Sequence, residues 1–90
     1  MSDVHDNQAA GRFELVVDGH TAWADYRRAP GQLIIDHVEA PVELRGSGAS
    51  GRLMEGVALA ARQAGEKIVP HCSYAAAWLQ RSASNRDLIA

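Results

Sequence analysis

An apolar run, a turn with three glycines in six residues and a helical pattern follow one another between Leu33 and Ala64, and this succession constrains the fold more than any other stretch. The run covers Leu33 to Val38. The turn is Arg45-Gly46-Ser47-Gly48-Ala49-Ser50-Gly51, and Leu53, Val57, Ala60, Ala61 and Ala64 carry the helical pattern. Strand, glycine turn and helix in that order make an anion site. Glycine lets a ligand approach the backbone without interference from a Cβ. The N–H groups of a first helical turn lack intrahelical partners and point outward. The helix dipole adds roughly half a positive charge at the same place, and a phosphate or pyrophosphate is the usual guest. Arg45 adds a planar, permanently charged fork at the mouth of the turn.

Around this unit the chain reads as β-β-β-α-β-α. Phe13 to Val17 predicts a strand, Asp18-Gly19 a two-residue hairpin turn. Thr21 to Arg28 returns as a second strand, with Ala22, Ala24 and Tyr26 alternating against Thr21, Trp23 and Asp25. Pro30-Gly31 punctuates the next turn. Leu33 to Glu39 is the third strand, and Pro41 ends its pairing because proline donates no ladder bond. The first helix is expected to start at Ser50 or Gly51 and to stop at Gly65, a left-handed C-terminal cap. Lys67 to His71 is a fourth strand. Ser73 reads as the N-cap of a second helix, on which Tyr74, Ala77, Trp78 and Arg81 share a largely apolar face. Asn85 to Ala90 is expected to add a short helical turn.

Met1 to Gly11 is polar and reads as a flexible lead-in, leaving residues 12–90 as one domain. The three hairpin-linked strands form an antiparallel meander. The third and fourth, joined through a helix, should be parallel with a right-handed crossover. The expected fold is therefore α+β (mixed α/β), a four-stranded mixed sheet with two helices. The glycine turn and Cys72 each follow a strand's C-terminus, the end at which such sheets bind ligands.

Composition removes several function classes. A formal charge of −2 and a pI near 6.0 argue against a general nucleic-acid binder, which usually carries a basic face. No apolar run approaches the ~20 residues of a membrane span, and the polar N-terminus lacks the apolar region of a secretory signal. A single cysteine, Cys72, forms no intramolecular disulfide and fits a cytoplasmic location. His5, His20, His37 and His71 are scattered without metal-ligand spacing, so no metal is expected. A monomer or weak dimer is expected.

Three readings of the glycine turn compete. Gly46-x-Gly48-x-x-Gly51 has the dinucleotide-binding spacing, but an antiparallel meander precedes it and Glu66 stands before the next strand rather than at its end. A nucleoside-triphosphate loop lacks its Lys-Ser or Lys-Thr after the glycines. In the third reading, strand, Arg-Gly-x-Gly turn, helix and following strand together resemble the acyl-CoA-binding core of the GNAT acetyltransferase superfamily. There a Gln/Arg-x-x-Gly-x-Gly/Ala turn holds the coenzyme's pyrophosphate. Arg45 and Gly48 match it; Ser50 replaces the final Gly/Ala, and Gly51 follows one residue later. Val38-Glu39-Ala40-Pro41, the Arg45 turn, Ile68-Val69-Pro70-His71-Cys72-Ser73-Tyr74 and Asp87-Leu88-Ile89 further resemble a minimal, single-domain, GCN5-related N-acetyltransferase-like group. Its hallmarks include a histidine in the strand before the turn, here His37, and a Pro-x-Cys, here Pro70-His71-Cys72. The resemblance covers roughly residues 12 to 90. Ser82-Ala83-Ser84-Asn85 departs from the His-Pro pair common in the group.

The resemblance implies an acetyl-CoA (coenzyme A) dependent acyltransferase. Arg45, Gly46, Ser47, Gly48, Ala49, Ser50 and Gly51 would bind the pyrophosphate. The backbone of Val38, Glu39 and Ala40 would pair with the pantetheine arm, and Cys72 would accept the acyl group. Its acceptor substrate, an amine or a protein, is not legible. From the residues alone, Cys72 is either a nucleophile at a helix start, where a thiolate is favoured, or a small buried residue closing a helix–sheet junction. His37 is either a base or a hydrogen-bonded histidine half-covered by a helix. At the usual rise per residue it lies ~10 Å from Cys72. His71 is disfavoured as a partner of Cys72, because strand neighbours point to opposite faces. Trp23, Trp78 and Tyr74 read as core or interface, and Arg81 and Arg86 as solvated. The rivals to an enzyme are a non-catalytic acyl-CoA-binding module or sensor and a structural dimerisation domain.

Overall fold

Asp18 and Gly19 both adopt positive φ, 51° and 79°, the mirror-image turn that matches the twist of two antiparallel strands. It joins β2 (Arg12–Val17) to β3 (His20–Ala29), and a second tight turn joins β3 to β4 (Gln32–Glu39). The computed structural model describes residues 3–90. A short turn of 3₁₀ helix, Val42–Leu44, leads from β4 into the glycine turn. Helix α1 (Ala49–Ala64) then crosses back, β5 (Lys67–Pro70) pairs parallel to β4, and α2 (Ser73–Arg81) follows. The predicted β-β-β-α-β-α order and the mixed sheet are both present.

Four features depart from expectation. The lead-in expected to be flexible contains a strand, β1 (His5–Asn7), antiparallel to β2, so the sheet has five strands in the order β1-β2-β3-β4-β5. Side-chain contacts hold it there: Tyr26 donates to Asp6 at 2.5 Å and Asn7 to Glu14 at 3.3 Å. Helix α1 begins at Ala49 with Gly48 as its N-cap, earlier than Ser50. The N-cap of α2 is Cys72, not Ser73, and β5 stops at Pro70 before His71.

One face of the sheet is buried and the other is open. Phe13, Leu15, Ala22, Ala24, Leu33 and Ile35 point to the same side and are at most 1% exposed. They share one core with Leu53, Met54, Val57 and Ala61 of α1 and with Ala75 and Leu79 of α2. The alternation that buries them is period two on the strands and near 3.6 on the helices. The opposite face carries Arg12, Glu14, Trp23, Asp25 and Arg27. Arg12 lies 2.6 Å from Glu14 and 5.2 Å over the Trp23 ring, whose N–H donates to Asp25 at 3.3 Å. No buried polar side chain occurs among the described residues.

The β3–β4 ladder is interrupted once. Asp25 pairs with His37 and Tyr26 with Ile35, so Asp36 is an extra residue in β4. A bulge of this kind re-aims side chains. Past it the inward phase moves from Leu33 and Ile35 to Val38, which packs on the core.

The hydrogen bond from Arg12 holds the Glu14 carboxyl below its ordinary value, against a smaller opposing effect of burial. A group whose folded pKa is depressed stabilises the fold above its unfolded value, and that contribution is lost as pH falls through the folded value. Thermal unfolding of wild type and Glu14→Gln should therefore differ most at neutral pH, with the wild type more stable. The difference should shrink as pH drops below about 4, the ordinary glutamate range. A constant difference across that range would show that the pair does not set the pH response.

Candidate functional site

The glycine turn is built from its own backbone and one hydroxyl. Gly46 and Gly48 have φ of 77° and 80°, a region that costs other residues roughly 1–2 kcal/mol each. A Cβ at either would meet nothing within 4 Å, so glycine is required there by backbone conformation and not by crowding. The Ser47 hydroxyl donates to the Leu44 carbonyl at 2.5 Å and accepts the Ala49 N–H at 3.2 Å. The Ser47 side chain thus braces the turn. The first helical bond runs from the Arg52 N–H to the Gly48 carbonyl at 3.0 Å.

That leaves the backbone N–H groups of Gly46, Gly48, Ser50 and Gly51 without a protein acceptor among the described residues. They sit at the positive end of a sixteen-residue helix with no acidic side chain in its first turn. Backbone donors left free at such a place bind anions. Arg45 is exposed beside them. Most other cations are engaged: Arg27 with Asp36, Arg28 with Glu66, Arg62 with Asp87. Among the described residues Arg45 and Arg81 have no such partner, whereas Arg86 donates to the Gln80 carbonyl.

The second half of the region is a fork in the sheet. Parallel pairing of β4 with β5 ends at Ile35 and Pro70. The Ile35 carbonyl then accepts two N–H groups, from His71 at 3.0 Å and Cys72 at 3.3 Å. Beyond this point β5 turns into α2, and the edge of β4 from Asp36 to Glu39 has no strand beside it. Val38, Glu39 and Ala40, expected to pair with a pantetheine arm, lie along or just past this free edge. Cys72 stands at the apex of the fork. It is half-buried against the core, and its carbonyl accepts the Ala76 N–H at 3.0 Å to open α2.

His37 and Cys72 are not brought together. The bulge turns His37 to the open face, where its Nε2 lies 2.9 Å from Glu39 Oε2. Its side chain is 54% exposed and no helix covers it. Cys72 packs toward the helix-covered side. Sequence reasoning missed what the bulge assembles instead, a group of Arg27, Asp36 and His71 on the open face. A signal for it was present: Asp36-His37 places two polar residues in succession between Ile35 and Val38, which breaks a strict alternation.

Trp23 lies on the open face, while Tyr74 and Trp78 pack against the core. Cavities of about 260 and 290 Å³ lie beside α1, lined in part by Val4, Gly56 and Leu59. The first is also lined by Asp3 and Arg52, which pair at 3.4 Å. Among the described residues no group of three or more His, Cys, Asp or Glu is placed to hold a metal ion. Among the described residues no helix is long and apolar enough to cross a membrane.

Comparison with known proteins agrees with this fold. The chain is similar over its whole length to a GCN5-like candidate N-acetyltransferase from Staphylococcus aureus whose solution structure was determined by NMR. The TM-score is 0.76 at 29% identity, covering 100% of this chain and 91% of that one. No curated protein sequence matches. The family profile described as GCN5-related N-acetyl-transferase matches residues 12–88. It spans the meander, the glycine turn, both helices and the fork, and the chain belongs to the GCN5-related N-acetyl-transferase family.

Proposed function

We propose that this protein is an acyl-CoA-dependent acyltransferase, with acetyl-CoA as the acyl donor and Cys72 as an acyl acceptor. One observation carries the reading: among the described residues, four backbone N–H groups, at Gly46, Gly48, Ser50 and Gly51, have no protein acceptor beside an unpartnered Arg45 at one helix start. A pyrophosphate supplies the acceptor oxygens that such a cradle lacks, and a guanidinium engages phosphate in a planar, bidentate manner. The free edge of β4 supports the second part. Its backbone groups from Val38 to Ala40 can pair with the amides of a pantetheine arm, and N–H groups there would stabilise charge developing on the thioester oxygen. The arm would then lead to the apex where Cys72 stands. The Cys72 sulfur would attack the acyl carbon, the carbon–sulfur bond to the coenzyme would break, and the coenzyme would leave as its thiol. His37 lines the open face, from which a second acceptor would come.

A second reading is favoured by the exposure of that open face. His37 and Glu39 are about half exposed, 54% and 49%, and give an acceptor little enclosure. A non-catalytic acyl-CoA-binding module would have the same cradle and no transfer.

Arg45→Ala should weaken coenzyme A binding roughly 10- to 150-fold, the range of a charge-assisted hydrogen bond. Gly48→Val should weaken it further, because a β-branched residue resists φ of 80° and fills the space a phosphate would use. Calorimetry showing unchanged affinity in both variants would remove the pyrophosphate site.

Intact mass after incubation with acetyl-CoA separates enzyme from binding module. One acetyl group should be added to the wild type and released by hydroxylamine, which cleaves thioesters and leaves amides. Cys72→Ser should take up no hydroxylamine-labile acetyl and should keep coenzyme A affinity within about threefold, under ~1 kcal/mol. Tight binding with no adduct and no transfer would establish the module. A hydroxylamine-stable acetyl on a lysine would move the chemistry to direct amine transfer.

A further inference from the structure

The open face of the sheet carries a cluster that the glycine turn does not use. Asp36 is the extra residue of the β4 bulge. Arg27 grips it from β3, with Nε 2.7 Å from Oδ2 and Nη2 2.9 Å from Oδ1. On the other side, His71 Nδ1 lies 3.4 Å from Asp36 Oδ1. The hydrogen bond from Arg27 holds the Asp36 carboxyl below its ordinary value against a smaller effect of burial, and His71 adds to the lowering. An ionised carboxylate only accepts hydrogen bonds. The His71 nitrogen facing it is therefore assigned as N–H in the neutral ring, which leaves Nε2 as the free acceptor. A carboxylate fixing one imidazole nitrogen so that the other serves as base is the logic of catalytic triads. Contacts of this kind are often long without substrate and tighten when it binds.

Position gives the pair its meaning. The His71 backbone N–H is bonded to the Ile35 carbonyl, so the ring stands where β5 leaves β4. Its side chain is 55% exposed. The charged groups on this face are Asp36, with His37 and Glu39, on β4, Arg27 and Asp25 on β3, and the paired Arg12 and Glu14 on β2. The neighbouring Cys72 packs toward the other side.

We infer that His71, oriented by Asp36, is the general base that takes the proton from an amine acceptor reaching the open face of the fork. This rests on the acyl-CoA reading above. The acceptor nitrogen attacks the acyl carbon of the thioester with its lone pair. The carbon–sulfur bond breaks and its electron pair leaves with sulfur. The proton lost from nitrogen passes to His71 Nε2 and then to the departing thiolate or to water. Asp36 and Arg27 are positioning residues. A positioned base contributes typically about 10²–10⁴-fold.

The test uses acetyl-CoA as donor and ethanolamine as amine probe, following amine-dependent release of coenzyme A across pH. His71→Gln should lower that rate on the order of 10²-fold or more and flatten its rise with pH, while coenzyme A affinity by calorimetry stays unchanged. Added imidazole should restore part of the rate to His71→Ala. Independently of turnover, the imidazole ¹⁵N shifts of the free protein should report the Nδ1–H tautomer for His71, and Asp36→Asn should convert it to a mixture. A wild-type rate and pH profile in His71→Gln would overturn the inference. So would an Nε2–H tautomer in the wild type, or a loss of the pH dependence in His37→Gln alone. Failure of the wild type to bind coenzyme A would defeat the acyl-CoA reading and this inference with it. Binding without any amine-dependent release would overturn the base and favour the binding module.

Discussion

A single carbonyl oxygen, that of Ile35, sets the shape of the candidate site. It takes the last hydrogen bonds of the parallel pair, from His71 and Cys72, and the two chains then diverge. β5 has only four residues, whereas β4 runs four residues past Ile35, to Glu39. An unpaired strand edge is an exposed row of donors and acceptors that invites another chain. Here the edge is short, is kinked by the Asp36 bulge and is flanked by α2, which limits what can add to it. An extended arm bearing amides fits those limits better than a neighbouring strand does. The same carbonyl fixes Cys72 at the apex and the His71 ring on the opposite side, so two side chains adjacent in sequence lie on different faces.

The glycine turn solves a different problem. A helix start needs its N–H groups satisfied by a capping side chain, by water or by a ligand. The cap at Gly48 has no side chain, and Ser47 covers only the Ala49 N–H. Among the described residues four amides remain free at the start of a helix that packs on β2 and β3 and buries Val57 and Ala61 in the core. The rigid core thus holds an unsatisfied set of donors in one place, and the order imposed on them before any ligand arrives reduces what binding must spend on ordering.

Much of the fold was legible because each element announces its own period. Alternation in β3, the Asp18-Gly19 turn, the apolar spacing of α1 and the stop at Gly65 all give local structure directly. The strand His5–Asn7 was not legible, because its stability comes from Tyr26, twenty residues away, and Glu14, not from its own composition. The backbone conformation of the glycine turn was legible, since positive φ there depends on residue type. The role of Ser47 was not, because a hydroxyl bracing a turn and a hydroxyl facing a ligand look alike in sequence. The face of His37 depended on one inserted residue. Period-two counting through Asp36 gives the wrong side, as a one-residue slip flips every side chain beyond it.

The most direct measurement is a titration of the ¹⁵N-labelled protein with coenzyme A, followed by amide chemical shifts. The expected result is a set of largest changes at Gly46, Gly48, Ser50 and Gly51, with a second set along Asp36 to Ala40. The contradicting result is a pattern confined to the cavities beside α1, around Val4, Arg52 and Leu59, or no change at all at saturating coenzyme.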